Sequence, residues 1–199
     1  MSSQKTVTPD AEGIAAAAKA AAAQSGGKGL PPVHLWNPPF CGDLDIRIAR
    51  DGTWFYLGTP IGRKPLVRLF STILKREGDK YFLVTPVEKV GITVEDAPFL
   101  AVDFEVRGTG PTQSLTFTTL TEDNATAGPA HPIRVELDEE GEPSPYILIR
   151  TNLEALIDRK SFYRLVDLGE TAEHEGQQWF GVWSEGQFFP MVKAADLPS

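Results

Sequence analysis

Apolar and polar positions recur along this chain with two different periods, and each change of period marks where strands give way to a helix. Leu100, Val102, Phe104 and Val106 return every second residue, the period of a half-buried strand over residues 99–106. Runs at residues 81–85, 90–94 and 114–120 have the same extended character. "DIRIARDGTWFYLGTP" holds two such runs on either side of Asp51-Gly52, a dipeptide suited to the positive φ angles of a tight hairpin turn. Leu66, Leu69, Phe70, Ile73 and Leu74 fall instead at i, i+3, i+4, i+7 and i+8, the stripe of an amphipathic helix. Pro65 is tolerated in its first turn, and Gly78 is placed to close it. Lys64, Arg68, Ser71 and Lys75 share the opposite face.

Residues 1–29 are an Ala- and Gly-rich tail. Thr8 and Pro9 suit an N-cap and first helical position, the alanines favour a helix, and Ser25-Gly26-Gly27 ends it. Its apolar run is broken by Lys19 and preceded by Asp10 and Glu12, unlike the leucine-rich centre of a cleaved signal peptide. The tail is expected to be a mobile or docked helix whose removal leaves stability nearly unchanged.

Two long stretches share an order of elements: "DIRIARDGTWFYLGTPIGRKPLVRLFSTIL" and "PIRVELDEEGEPSPYILIRTNLEALIDRKSFYRLV". At one constant offset Ile46 matches Ile133, Arg47 matches Arg134, Leu66 matches Leu153 and Phe70 matches Ile157. The pattern predicts an α+β fold of duplicated strand-strand-helix-strand units, forming two packed β-rich sub-domains over residues 30–98 and 99–196.

Composition narrows the setting. With 199 residues and 41% hydrophobic content, the chain can bury a sizeable core. A net charge of −8 opposes a surface built for duplex nucleic acid or an acidic membrane. The single cysteine, Cys41, excludes an internal disulfide, and no run of about 20 apolar residues spans a bilayer. A reducing, cytoplasmic setting is the simplest expectation. Charge is unevenly spread: residues 63–89 hold seven Lys and Arg against three Asp and Glu, while residues 131–199 hold six against thirteen. That contrast predicts contact between the halves, with a cleft for an anionic small molecule bearing an aromatic or apolar body. Arg63, Lys64 and Arg68 supply the basic rim from the first half, and Arg150 and Arg159 come from the second. Glu88 and Lys89, just after Pro86, lie where a turn presents charge to a neighbouring domain.

Familiar catalytic and cofactor patterns fail on spacing. Gly58 and Gly62 are separated by three residues and followed by Arg63, so the stretch is no phosphate-binding P-loop. The Gly-x-Ser-x-Gly turn and the Gly-x-Gly-x-x-Gly unit are both missing. Asp43 and Asp45 place two carboxylates on one strand face, as a hard metal requires, but no further acidic motif accompanies them. His34, His131 and His174 have no metal-ligand spacing with one another or with Cys41. Cys41 in "PPFCGD" reads as a small core residue. Trp54, Phe55 and Tyr56, like Trp179, Phe180 and Trp183, alternate faces along strands and read mainly as core.

"VHLWNPPFCGDLDIRIARDGTWFYLGTPIGRKPLVRLFSTIL", "YFLVTPVEKVGITVEDAPFLA" and "ILIRTNLEALIDRKSFYRLV" together resemble the bacterial family of domain of unknown function 1285 (DUF1285). The "DGTW", "TPVEK" and "VEDAPF" blocks occur in order, and the match runs from about Val33 to Met191. The resemblance implies a duplicated two-domain architecture, with a C-terminal domain superficially similar to pleckstrin-homology folds. It also implies a nucleotide-like ligand at the domain interface and a role in signal transduction, with no enzymatic activity attached.

Three function classes follow. A non-catalytic binding or sensing module requires a basic, aromatic-walled cleft. An enzyme using Asp43, Asp45, Glu88 or Asp96 requires carboxylates converging within metal or proton-transfer reach. A protein-interaction module requires exposed apolar patches.

Overall fold

The computed structural model describes residues 9–24, 26 and 29–197, so Thr8, Ser25 and Gly27 of the expected tail helix lie outside the described residues. Helix α1 spans Ala11–Gln24. Asp10 closes its start: its Oδ1 accepts from the Gly13 N–H at 2.6 Å, and its carbonyl accepts from the Ile14 N–H at 3.1 Å. A short polar side chain at that position satisfies a donor that the helix leaves open. Ala11, Ile14, Ala15, Ala18 and Ala21 are buried along one face, so the helix is docked, the second of the two states expected for the tail.

The chain divides into two compact units between Glu95 and Asp96. In the first, β1 (Phe40–Ile48), β2 (Trp54–Tyr56) and β3 (Thr59–Pro60) form one antiparallel meander. Helix α2 (Lys64–Thr72) follows, and β4 (Leu74–Glu77), β5 (Lys80–Val84) and β6 (Lys89–Val94) form a second meander. A parallel pair, β1 with β6, joins them into one sheet ordered β3-β2-β1-β6-β5-β4. The turn after β1 falls at Asp51-Gly52 as the sequence predicts, within a connection of residues 49–53 in which Gly52 alone has a positive φ. Gly52 has φ 84°, and the Asp51 carboxylate accepts from the Thr53 N–H at 3.0 Å. That bond also holds the Asp51 carboxyl below its ordinary range.

Helix α2 lies against Trp54, whose ring stacks on Phe70 with centroids 6.3 Å apart, and α1 packs along α2. The amphipathic stripe extends past the helix itself. Ser71 and Thr72 hydroxyls donate back to the Arg68 and Leu69 carbonyls, both at 2.6 Å, a competition that weakens a helix end. Ile73 then leaves helical geometry, Leu74 starts β4, and Gly78 at φ 59° lies in the hairpin turn to β5 rather than at a helix stop. Ile73 and Leu74 are still buried, so core contact persists while the backbone changes.

The second unit repeats the strand order. Strands β7 (Phe99–Arg107), β8 (Ser114–Thr119) and β9 (Asn124–Thr126) form one meander; β10 (Ile133–Leu137), β11 (Pro143–Arg150) and β12 (Leu153–Ile157) form another. The sheet runs β10-β11-β12-β7-β8-β9, and its parallel pair is β12 with β7. Both halves are therefore β-rich within a mixed α+β fold, with a shared path of six strands. The residue correspondence is different from the one the spacing suggested. By strand order β1 corresponds to β7 and β4 to β10, so Ile46 is not the counterpart of Ile133. Leu153 and Ile157 belong to a strand, whereas Leu66 and Phe70 belong to a helix. The second helix, α3 (Arg159–Asp167), begins after that strand, where Asp158 accepts from the Ser161 N–H at 2.8 Å.

Within β7 the buried set is Phe99, Ala101 and Phe104, and Val106 is exposed. A register irregularity between Ala101 and Asp103 shifts the side chains from one face to the other, the usual effect of an extra residue in a strand. A three-stranded sheet of β13 (Glu170–His174), β14 (Gln177–Ser184) and β15 (Gln187–Lys193) completes the unit. Its β14–β15 turn docks beside β8. Buried Ser184 accepts from the Leu115 N–H at 3.0 Å and donates to the Ala127 carbonyl at 2.7 Å. No helix among the described residues is long and apolar enough to cross a membrane.

Candidate functional site

Strand pairing gives the N-terminal sheet two unlike faces. Ile48, Trp54 and Val94 share the face covered by α2, while their neighbours Arg47, Phe55 and Thr93 point to the other side. Phe82 is paired with Gly91, and Asp43 with the same glycine from the opposite strand. A cleft of about 580 Å³ opens here, lined by Phe40, Asp43, Lys80, Phe82, Lys89 and Gly91 among others. That volume is in the range of small-molecule sites.

Gly91 shapes the floor. A Cβ there would lie 2.1 Å from Asp43 Oδ1 and 3.7 Å from the Phe40 ring edge, so the carboxylate rests where any other residue would place its side chain. The strand carrying Asp43 is irregular on both sides of it, and Gly42 adopts φ 106°. Such bulges re-aim a side chain relative to its neighbours. Phe40 meets Phe82 edge-on at 6.0 Å and is still 55% exposed, leaving a free aromatic wall.

The rest of the lining carries Lys80 and Lys89, with the exposed Asp79 beside Lys80. Lys89 Nζ lies 3.1 Å from Glu77 and 4.7 Å from the centre of the Phe82 ring, with only 17% of its side chain exposed. Lys75 approaches the other Glu77 oxygen at 3.2 Å. Hydrogen bonds from Lys89 and Lys75 hold the Glu77 carboxyl below its ordinary range. Lys80 is exposed and has no ion-pair partner among the described residues. The titratable side chains of the lining are Asp43, Asp79, Lys80, Tyr81 and Lys89.

The other residues singled out from sequence lie on several elements of the two units. Arg63 is the extended residue before α2, and Lys64 is the first helical residue; both are exposed, no side chain caps the helix, and its first turn holds no acid. Arg68 is half-buried within α2. Glu88 lies in the turn before β6, where burial, and secondarily the Asp10 carboxylate, push its carboxyl above the ordinary range. Glu88 thus faces α1 rather than joining Asp43, and Asp45 is exposed further along β1. Arg150 is committed structurally: it pairs with Asp123 at 2.6 Å and lies 4.9 Å from the Phe99 ring centre. Arg159 opens α3 and is exposed. Asp96 accepts from the Tyr146 hydroxyl at 2.7 Å. Burial, then that bond, push the Tyr146 hydroxyl up to about 12.

Among the described residues, no three His, Cys, Asp or Glu side chains are grouped to hold a metal. Cys41 is exposed, with its thiol 3.3 Å from the Pro39 carbonyl; it is not the core residue its size suggested, because β1 begins beyond the core. Sequence reasoning passed over Phe40, Lys80 and Gly91. The available signal was a glycine inside the apolar strand "KVGITV", which marks a close approach by another group.

Two tandem six-stranded sheets, each closed by a central parallel pair, with a mixed-charge cleft in the first, define a two-domain α+β protein with a ligand-sized concavity. The chain belongs to the DUF1285 family. The model described as "Domain of unknown function (DUF1285), N-terminal domain" matches residues 31–97. The one described as "Protein of unknown function (DUF1285), C-terminal domain" matches residues 98–191. The crystal structure of a DUF1285 family protein from Silicibacter pomeroyi DSS-3 is similar at 61% identity and TM-score 0.82, over 92% of this chain and 96% of that one. Another family protein, from Shewanella baltica OS155, is similar at 33% identity and TM-score 0.50, over 62% of this chain and 91% of that one. No curated protein matches the chain.

Proposed function

We propose that this protein is a non-catalytic binding module for an acidic small molecule with a flat or apolar body, of which a nucleotide-like compound is one form. The cleft on the N-terminal sheet carries the reading. Lys89 is held in place by Glu77 and Phe82, Lys80 is free to meet an acidic oxygen, and Phe40 presents an uncovered ring beside them. Such a module suits a sensing role, in which ligand level is read through the stability of the N-terminal unit.

A second seat for the same chemistry has its own support. The start of α2 concentrates Arg63 and Lys64 at the positive end of a helix without a capping side chain or an acid in its first turn. Like charges there are unfavourable until an anion neutralises them. By contrast, α3 has Asp158 at the equivalent place.

Thermal melting with nucleotides, signalling dinucleotides and phosphorylated metabolites tests both seats. A ligand at about 100 times its Kd stabilises the folded state by about 2.7 kcal/mol, which raises Tm by roughly 5 to 10 °C at this chain length. Lys80→Glu removes the shift if the cleft is the seat, and Arg63→Glu removes it if the helix start is. A wild-type protein that responds to no anion overturns the reading and moves the protein-interaction class ahead.

A further inference from the structure

Asp43 is the feature of the cleft that an acidic ligand alone leaves unused. It is exposed, has no hydrogen bond or ion pair among the described residues, and lies over the one position in its neighbouring strand that has no side chain. Two separate features of the chain serve that placement: the irregular, Gly42-containing stretch of β1 and the glycine at 91. Lys89 lies two residues from Gly91 on the same face and pairs with Phe40, so the backbones of Asp43 and Lys89 are offset by about one strand spacing and two residues, about 8 Å. The lysine does not close that gap because Glu77, on the far side, holds its ammonium. The cleft therefore keeps a negative pole and a positive pole apart, with the exposed Phe40 ring in the same lining.

We infer that the cleft takes a zwitterion of the amino-acid class, its protonated amine on Asp43, its acidic group on Lys80 and Lys89, and its apolar body against Phe40. The inference rests on the proposal that the cleft receives an acidic small molecule, and it narrows that class to compounds that also carry an amine. A charge-assisted pair in a partly open cleft is worth at most about 1 kcal/mol, so each pole contributes about fivefold in affinity.

The test uses three probes of one shape on the full chain: phenylalanine, 3-phenylpropionate, which lacks the amine, and phenethylamine, which lacks the acid. Binding is followed by ligand-observed NMR titration. The wild type is expected to bind phenylalanine about fivefold more tightly than either analogue. Asp43→Asn, nearly isosteric and exposed, removes the preference over 3-phenylpropionate, while Lys80→Gln removes the preference over phenethylamine. Gly91→Ala displaces the carboxylate and weakens phenylalanine and phenethylamine, the two probes that carry an amine, more than 3-phenylpropionate. Equal binding of phenylalanine and 3-phenylpropionate, or an unchanged preference in Asp43→Asn, overturns the zwitterion and leaves the acidic-ligand proposal standing. Silence toward all three probes also overturns it, and the nucleotide and phosphate panel then decides the broader proposal separately.

Discussion

Leu57 sits in a two-residue turn with Gly58, at φ 51° and 77°, between β2 and β3, and is 65% exposed. A left-handed backbone costs an L side chain about 1 to 2 kcal/mol, and Asn bears it better than Leu. Leu57→Asn should therefore stabilise the protein by about 1 kcal/mol, seen as a rise of roughly 2 to 4 °C in Tm; a fall would mean that Leu57 makes a favourable contact. Glu88 gives the converse case, a charge held where it is disfavoured. Its folded carboxyl is raised above the unfolded value near 4.5 by burial and by Asp10. The folded state thus holds that proton more tightly, so this contribution to stability is full below the unfolded value and is lost as pH rises through the folded one. Urea unfolding should find Glu88→Gln more stable than wild type at pH 7, with the gap closing as pH falls toward 4. Single residues of this kind are hard to read in advance. Glu88 looks like a surface charge in "TPVEK", yet it is half-buried and within the field of Asp10, far earlier in the chain.

Elements were legible where one local signal decides them. Asp51-Gly52 specifies its hairpin locally, Gly52 through its positive φ and Asp51 through the bond its carboxylate accepts from Thr53. The stripe from Leu66 to Leu74 misleads at its end because burial, not helicity, is what the spacing records. Ile73 and Leu74 satisfy both the 3.6-residue period and the start of a core strand, and the pairing of β4 with β5 is not visible until both are laid out. The same holds for Leu153–Ile157, apolar enough for a helix face but followed by Asp158, which starts the helix one step later. In α1, an Ala-rich run ending in Ser and Gly suggested a tail removable at little cost. Alanine's small size lets the helix approach closely, with Ile14 and Ala18 wholly buried. Replacing Ile14 with Ala should cost about 2 to 3 kcal/mol, the lower part of the range for a buried Ile, and a chain starting at Leu30 should melt at a clearly lower temperature. Equal melting of the shortened and full chains would show that α1 contributes no net stability.

At the scale of the molecule, the duplication was visible in outline but assigned to the wrong residues, since related strand paths leave only a loose trace in apolar spacing. The cleft was less visible still: Asp43 is far along the chain from Lys89 and Gly91 and meets them only because β1 pairs with β6. That parallel pair has a kinetic consequence. In each six-stranded sheet, every other pairing joins strands adjacent in sequence, whereas Phe40 meets Lys89 and Phe99 meets Ala155. Local meanders close cheaply, and the distant pairing pays the loop entropy before its contacts return anything. Each unit should then assemble two hairpin sets first and cross its barrier when the central strands zip together. Ile48, wholly buried and paired with Val94 across that seam, is the place to ask. Ile48→Val, at about 1 kcal/mol, should slow refolding in stopped-flow fluorescence while leaving unfolding nearly unchanged; faster unfolding with unaltered refolding would place the seam after the barrier.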